Sequence, residues 1–179
     1  MGCRKCAEKR RARAALAAAA ADAKKSEAAR TAAQKEFELA LGWHQWGWKF
    51  IHRFTMAVPP DVLPPPALEH IRRVVQLFIE VLPCKDCQGH AAEFLSGGPT
   101  PRLGRVTTGR SLVALMHELH NDVNRRTTKP QPDMNVLLQY KSINLRQALD
   151  GYMTAVRREP VVPTAALDAL DAHPKALGL

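Results

Sequence analysis

The sequence predicts an all-α fold, and three features of the chain carry that prediction. Segments rich in Ala, Leu, Lys, Arg and Glu are separated by prolines and glycines, which end helices. Apolar residues recur at spacings of three and four, as in helices that bury one face. No long alternation of β-branched residues indicates strands. With 179 residues, of which 46% are hydrophobic, the chain can build one domain plus tails.

The N-terminal segment, residues 1–40, predicts a helical or flexible arm outside the core. Residues 7–40 are rich in alanine, the strongest helix former, with scattered charged residues. An apolar face made almost entirely of alanine is too thin to anchor a core. The arm carries Cys3 and Cys6, and the predicted globular part, residues 41–158, follows it.

Prolines divide the first half of the globular part into three predicted helices. The first is expected over residues 43–57, before a Pro-Pro pair. The second follows the Pro64–Pro66 run, which suits a helix entry, and its apolar residues recur at helical spacing. Because Pro83 stops the second helix, Cys84 is expected at the start of a third, which ends near Ser96.

The second half predicts a fourth helix followed by weaker signals. Thr107 or Thr108 can cap this helix, and its apolar face continues until prolines end it. Further helix is expected from about residue 134 to residue 158. Residues 159–179 contain three prolines and predict a loose tail. The expected architecture is a compact α-helical bundle between two less ordered ends.

The cysteines form two C-x-x-C pairs, Cys3–Cys6 and Cys84–Cys87. A thiolate at a helix N-terminus is stabilised by the unpaired N–H groups and the helix dipole, so a pair placed there is a good nucleophile. Cys84, at the start of the predicted third helix, is in such a position. The alternatives are half of a zinc site, for which His90 could be a third ligand, and thiols without a role.

A polar stripe lies on the predicted fourth helix, within the segment HELHNDVNRRTTKP. Its members are spaced at i, i+3, i+4 and i+7, and they are His117, His120, Asn121 and Asn124. Uncharged donors and acceptors held on a rigid helix suit the recognition of a nucleobase and a ribose. The cations that follow, Arg125, Arg126 and Lys129, suit phosphates. The alternative is a solvated helix face.

The aromatic segment WHQWGWKFIH, residues 43–52, contains all three tryptophans of the chain. Trp48 and His52 are i, i+4 neighbours on one helix face, so an indole and an imidazole lie side by side. Such a pair can line a planar ligand. The alternative is ordinary core packing.

In order, the chain reads W-x-x-x-x-W-x-x-x-H, then P-C-x-x-C-x-x-H, then H-N-x-V-N-x-x-x-x-K-P. This combination resembles the Erv/ALR family of FAD-dependent sulfhydryl oxidases, over about residues 43–130. The resemblance implies an all-α four-helix bundle with an additional short C-terminal helix. It also implies FAD held in the bundle and a homodimer.

The resemblance further implies roles for individual residues. Cys87 would face the flavin, and Cys84 would be attacked by incoming thiols. Cys3 and Cys6 would form a mobile shuttle pair that carries electrons from the substrate. The residues implied to border FAD are Trp43, Trp48, His52, His90, His117, His120, Asn121, Asn124 and Lys129. No metal site is implied.

Two departures from the family pattern are visible. The opening W-G of the family reads Trp43-His44 here. The structural disulfide of cellular members is missing at both of its positions, which correspond to Met116 and Met134. Large DNA virus members also lack this disulfide, and the segment FIEVLPCKDCQGH resembles theirs more closely.

The implied activity is oxidation of dithiols in substrate proteins, with electrons passing through Cys84–Cys87 to FAD and then to molecular oxygen, which gives hydrogen peroxide. The rival interpretation is a non-enzymatic, zinc-stapled basic helical module that binds nucleic acid or a protein partner. The net charge of +9 is the observation that favours it. A third interpretation, a thioredoxin-like oxidoreductase, requires strands around the C-x-x-C.

We expect no nucleic acid partner, and no apolar stretch is long enough to predict a membrane span. The compartment is not determined by the sequence. The host cytoplasm or the virion suits a viral protein, and the mitochondrial intermembrane space suits a cellular one.

Overall fold

The computed structural model describes residues 20–31 and 41–176. The chain divides into two compact units, Met1–Leu41 and Gly42–Leu179. In the first unit, residues 20–31 form helix α1, whose side chains are all exposed. The predicted shuttle cysteines, Cys3 and Cys6, lie outside the described residues.

The second unit is built from six α-helices and two short 3-10 helices in its described part. The α-helices are α2 (Trp43–Ala57), α3 (Pro65–Glu80), α4 (Lys85–Ser96), α5 (Gly109–Arg126), α6 (Leu145–Val156) and α7 (Thr164–Ala176). The 3-10 helices are Leu103–Arg105 and Met134–Tyr140. Among the described residues the one β feature is an isolated bridge between Val62 and Thr108. The predicted all-α fold class is confirmed.

Local side-chain chemistry explains where the helices begin. Thr108 caps α5, because its hydroxyl oxygen accepts a hydrogen bond from the Ser111 N–H at 3.0 Å. The Ser111 hydroxyl accepts one in return from the Thr108 N–H at 3.1 Å, which completes a capping box. A proline begins α3, where its fixed φ and missing N–H carry no cost.

Helix α2 is the centre of the unit and packs against α3, α5 and α6. Phe50, Ile51 and Phe54 on α2 are fully buried. The contact with α6 is especially close, because a Cβ atom added at Gly151 would lie 2.5 Å from ring carbons of Trp46. Only glycine fits there, so this residue sets the distance between α2 and α6.

The start of α5 is held by the loop that follows α2. A Cβ atom at Gly109 would lie 2.2 Å from the carbonyl oxygen of Pro59, so the helix begins directly against this loop. The Leu63 N–H donates to the Thr107 carbonyl at 3.1 Å. These contacts orient α5, whose other end carries the polar stripe.

The expectation of a loose tail over residues 159–179 is wrong for α7. This helix packs against α3, and its Leu167 and Leu170 are buried. The rings of His70 on α3 and His173 on α7 are joined by a 3.2 Å contact between their Nδ1 atoms. The prolines do not prevent this helix, because Pro163 precedes it and Pro174 lies near its end, where a proline interrupts little of the backbone hydrogen bonding.

None of the described helices is both long and apolar enough to cross a membrane.

Candidate active site

Cys84 and Cys87 form a disulfide at the N-terminus of α4. Cys84 is the N-cap residue, and its sulfur accepts a hydrogen bond from the Cys87 N–H at 3.2 Å. Both cysteines are partly buried. An N–H group directed at this sulfur stabilises negative charge on Cys84 once the disulfide is reduced.

A cavity of about 410 Å³ lies beside the disulfide, between α2, α3, α4 and α5. It brings together five of the predicted site residues, which are Trp43, Trp48, Cys87, His90 and Lys129. Cys84 does not line it. The two cysteines therefore have different surroundings, because Cys87 is a residue of the cavity wall and Cys84 is not.

The cavity has an apolar wall and a basic rim. Phe78 from α3, Leu82 from the turn after α3 and Leu119 from α5 are buried residues of the wall. Arg126 and Lys129 are exposed lining residues, as is the acidic Asp86, and Arg126 is paired with Asp122 at 2.9 Å. This arrangement suits a planar, largely apolar group with an anionic part near the rim.

One wall residue of the cavity, Trp48, belongs to a group of four rings with His52, His120 and Tyr140, which we call the ring stack. The Trp48 and His120 rings are parallel, with centroids 3.8 Å apart. The His52 Nε2 and His120 Nδ1 atoms are joined by a hydrogen bond of 2.8 Å, and Tyr140 packs on His52 with centroids 4.9 Å apart. His120, which does not line the cavity, therefore fixes the plane of Trp48, which does.

Both histidines of the ring stack are neutral at physiological pH. Burial, followed by repulsion from His120 and His117, lowers the pKa of His52 to about 3. Burial, followed by repulsion from His117 and Lys129, lowers the pKa of His120 to about 4. The Nδ1 atom of His52 is buried without a partner. A proton on His52 Nε2 leaves only a lone pair unpaired there, which costs less than an unpaired N–H group.

His117 and Asn121, the other half of the predicted polar stripe, do not line this cavity. The Asn121 side-chain amide donates to the Pro132 carbonyl at 3.0 Å, and His117 Nε2 lies 3.0 Å from the same oxygen. Both residues border a separate polar groove of about 660 Å³. They hold the loop after α5 against the helix.

Asn124 is buried, and its backbone positions Lys129. The Asn124 carbonyl accepts a hydrogen bond from the Lys129 N–H at 2.8 Å, which closes the C-terminal turn of α5. This closure requires one residue in the left-handed conformation, and that residue is Thr128, whose φ is 55°. A β-branched residue is strained in this conformation.

Several cavity residues were not identified by the sequence analysis. They are His44, Gly47, Phe78, Leu82, Asp86, Ala91, Leu119, Val123 and Thr127. Four of them, Phe78, Leu82, Leu119 and Val123, belong to apolar stretches whose helical spacing predicts core packing. The sequence signal that could have identified Phe78 and Leu82 is that they directly precede the C-x-x-C, where an apolar face can meet a ligand.

Within the described ranges, no group of three or more His, Cys, Asp and Glu side chains is arranged to hold a metal ion. Cys84 and Cys87 therefore have no set of further ligands there that would complete a zinc site.

The sequence profile of the Erv1 / Alr family matches residues 45–143. The chain belongs to the Erv1 / Alr family. The matched range contains the cavity-lining helices α3, α4 and α5 and most of α2, whereas α6 and α7 lie beyond it.

The chain is also similar to a protein of Invertebrate iridescent virus 3 named "Putative FAD-linked sulfhydryl oxidase 096R". The two are 32% identical over 93 residues, which are 50% of this chain and 59% of the relative. The match thus spans less than two thirds of the relative's length. The predicted resemblance to the family and to its large DNA virus members is confirmed. No solved structure matches the chain.

Proposed function

We propose that this protein is a FAD-dependent thiol oxidase that forms disulfides in substrate proteins. One observation carries the proposal: a C-x-x-C disulfide at a helix N-terminus contributes Cys87 to the wall of an aromatic cavity. Family membership and the name of the viral relative support it.

The residues around the cavity fit a flavin. Trp43 and Trp48 offer flat apolar surfaces, and Arg126 and Lys129 offer positive charge for phosphates. His120 would act by orienting Trp48. When bound, FAD supplies an acceptor for two electrons from the reduced cysteine pair and passes them to oxygen, which yields hydrogen peroxide.

The thiol chemistry belongs to Cys84 and Cys87. A substrate thiolate attacks the Cys84 sulfur, the Cys84–Cys87 bond breaks, and Cys87 leaves as a thiolate beside the cavity. A second substrate thiolate then attacks the substrate sulfur of the mixed disulfide and releases Cys84. The substrate dithiol has lost two electrons and two protons, and the cysteine pair has gained the electrons. We assign the attacked sulfur to Cys84 and the leaving thiolate to Cys87 because Cys87 lies in the cavity wall and Cys84 lies outside it.

The proposal includes two features drawn from the family resemblance. Cys3 and Cys6 would pass electrons from bulky protein substrates to Cys84, and two chains would form a homodimer.

The first test is the visible spectrum of the purified protein. We expect a yellow protein with FAD bound in stoichiometric amount. A colourless preparation that contains zinc and cannot be reconstituted with FAD would overturn the proposal.

The second test separates the cysteines. Cys84→Ser and Cys87→Ser should each abolish oxidation of dithiothreitol, measured as oxygen consumption, while FAD stays bound. The matched control, Cys3→Ser combined with Cys6→Ser, should retain oxidation of dithiothreitol and slow oxidation of a reduced protein. Near-normal turnover of dithiothreitol by the Cys84 or Cys87 variant would remove this pair from the mechanism.

A further inference from the structure

The side chain of Gln88, the residue after Cys87, forms hydrogen bonds with backbone carbonyls outside its own helix. Its amide nitrogen donates to the carbonyls of Glu80 at 2.9 Å and of Leu82 at 2.7 Å. Its amide oxygen accepts a hydrogen bond from Lys85 Nζ at 3.2 Å. Both amide hydrogens and the amide oxygen are therefore engaged, which is the arrangement of a structural clamp and not of a solvated side chain.

The two carbonyls belong to the end of α3 and the turn that follows it. Carbonyls at a helix C-terminus have no partner within the helix and need donors from elsewhere. Pro83, the next residue, has no N–H to offer. Gln88 supplies the donors from α4, so it ties the end of α3 to the start of α4. In the sequence, both cysteines lie between the residues that this clamp joins, since Leu82 precedes Cys84 and Gln88 follows Cys87.

The clamp matters most when the disulfide is open. In the oxidised protein the Cys84–Cys87 bond itself holds the turn. After reduction that bond is gone, and the N-cap geometry of Cys84 depends on hydrogen bonds. These are the bonds of the Gln88 side chain, the bond from the Gln88 N–H to the Cys84 carbonyl at 2.9 Å and the bond from the Cys87 N–H to the Cys84 sulfur. Gln88 also accepts a hydrogen bond from the ammonium group of Lys85, the residue after Cys84, and positive charge near a cysteine favours its thiolate.

We propose that Gln88 is a positioning residue of the cysteine pair, which keeps the reduced Cys84 sulfur at the N-cap of α4 and thereby favours its thiolate. The proposal rests on the proposed function, because only a thiol oxidase needs this cysteine pair to be reactive. It acts through Cys84 and involves no contact of Gln88 with substrate or cofactor.

The test measures the pH profile of Cys84 alkylation in the reduced full-length chain. Gln88→Met keeps the size of the side chain and removes its donors. Cys3→Ser and Cys6→Ser are introduced throughout, and tryptic cleavage after Lys85 separates Cys84 from Cys87 for mass spectrometry. We expect alkylation of Cys84 by iodoacetamide at pH 7 to slow about three- to tenfold, with the midpoint of the profile shifted to higher pH.

Two comparisons distinguish positioning from general damage. The control Gln76→Met, at an exposed position of α3, should leave the profile unchanged. The oxidised Gln88→Met protein should unfold near the wild-type temperature, because the disulfide then holds the turn. If Gln88→Met does not fold, Gln88→Asn provides the same test, since it keeps the amide but is too short by one methylene group.

A wild-type alkylation profile in a folded Gln88 variant would overturn the proposal. This outcome is separable from failure of the proposed function, because alkylation requires neither FAD nor oxygen. A protein without oxidase activity could still show the shift, and an active oxidase could lack it.

Discussion

The residues of the polar stripe on α5 have different roles on its two sides, although the sequence presents them as one feature. On one side, His120 stacks on Trp48 and binds the fully buried His52. On the other side, His117 and Asn121 converge on the Pro132 carbonyl. The first side supports a wall residue of the cavity and the second secures a loop. Helical spacing places residues on one face, but the elements packed on either side of that face decide their roles.

The largest difference between the two sides is expected in stability, and it is tested at His52, the partner of His120 on α2, and at His117. His52→Ala removes a fully buried ring and the hydrogen bond to His120, so the free energy of unfolding should fall by about 3 kcal/mol. His117→Ala, which truncates a partly exposed ring, should cost about 1 kcal/mol. Urea unfolding of both variants checks this. Equal losses would show that the ring stack is no more tightly packed than the loop contact.

The second expectation concerns pH. The pKa of His52 in the folded protein, about 3, lies below its ordinary value, so the unfolded chain binds more protons between these two values. The contribution of His52 to the free energy of unfolding is therefore fully present above pH 6.5 and is lost as the pH decreases. His52 alone should contribute a loss of about 2 kcal/mol between pH 7.5 and pH 5. Thermal unfolding across this range should show a shallower loss for His52→Gln, and an unchanged slope would contradict the assignment.

The third comparison concerns FAD and rests on the proposed function. His120→Ala should release Trp48 from its fixed plane and weaken FAD binding by about 1–2 kcal/mol, or about 5- to 30-fold. Asn121→Ala should loosen the loop at Pro132 with a smaller effect on FAD affinity. Titration of the apoprotein with FAD, followed by flavin fluorescence, measures both. A larger effect at Asn121 would place the ligand on the side of the polar groove.

The smallest effect is expected where α5 ends. Thr128→Gly should raise the free energy of unfolding by about 0.5–1 kcal/mol, because glycine adopts a positive φ without steric cost. The matched control is the neighbouring Thr127, whose φ is −101° and whose hydroxyl donates to the Val123 carbonyl at 2.9 Å. Thr127→Gly should destabilise the protein. If both substitutions destabilise, the left-handed Thr128 is not a source of strain.

Features determined by neighbouring residues were predictable from the sequence, and features determined by distant ones were not. Caps are local, so the start of α5 at Thr108 and of α4 at Cys84 could be predicted from residue types alone. The wall residues Phe78 and Leu119 could not, since an apolar helix face is the same whether it meets protein or ligand. The difference between His117 and His120 arises from Pro132 and Trp48, which are distant in sequence.

The close contact between Gly151 and Trp46 has a consequence for how this protein can be divided. Helix α6 lies outside the segment matched by the family, yet it covers Trp46 and Phe50 of α2, and its Tyr152 packs on Phe78 with ring centroids 5.3 Å apart. A shortened version ending at residue 143 would leave these aromatic rings in water and would be prone to aggregate. We therefore expect a fragment that folds on its own to include α6 as well as the segment matched by the family.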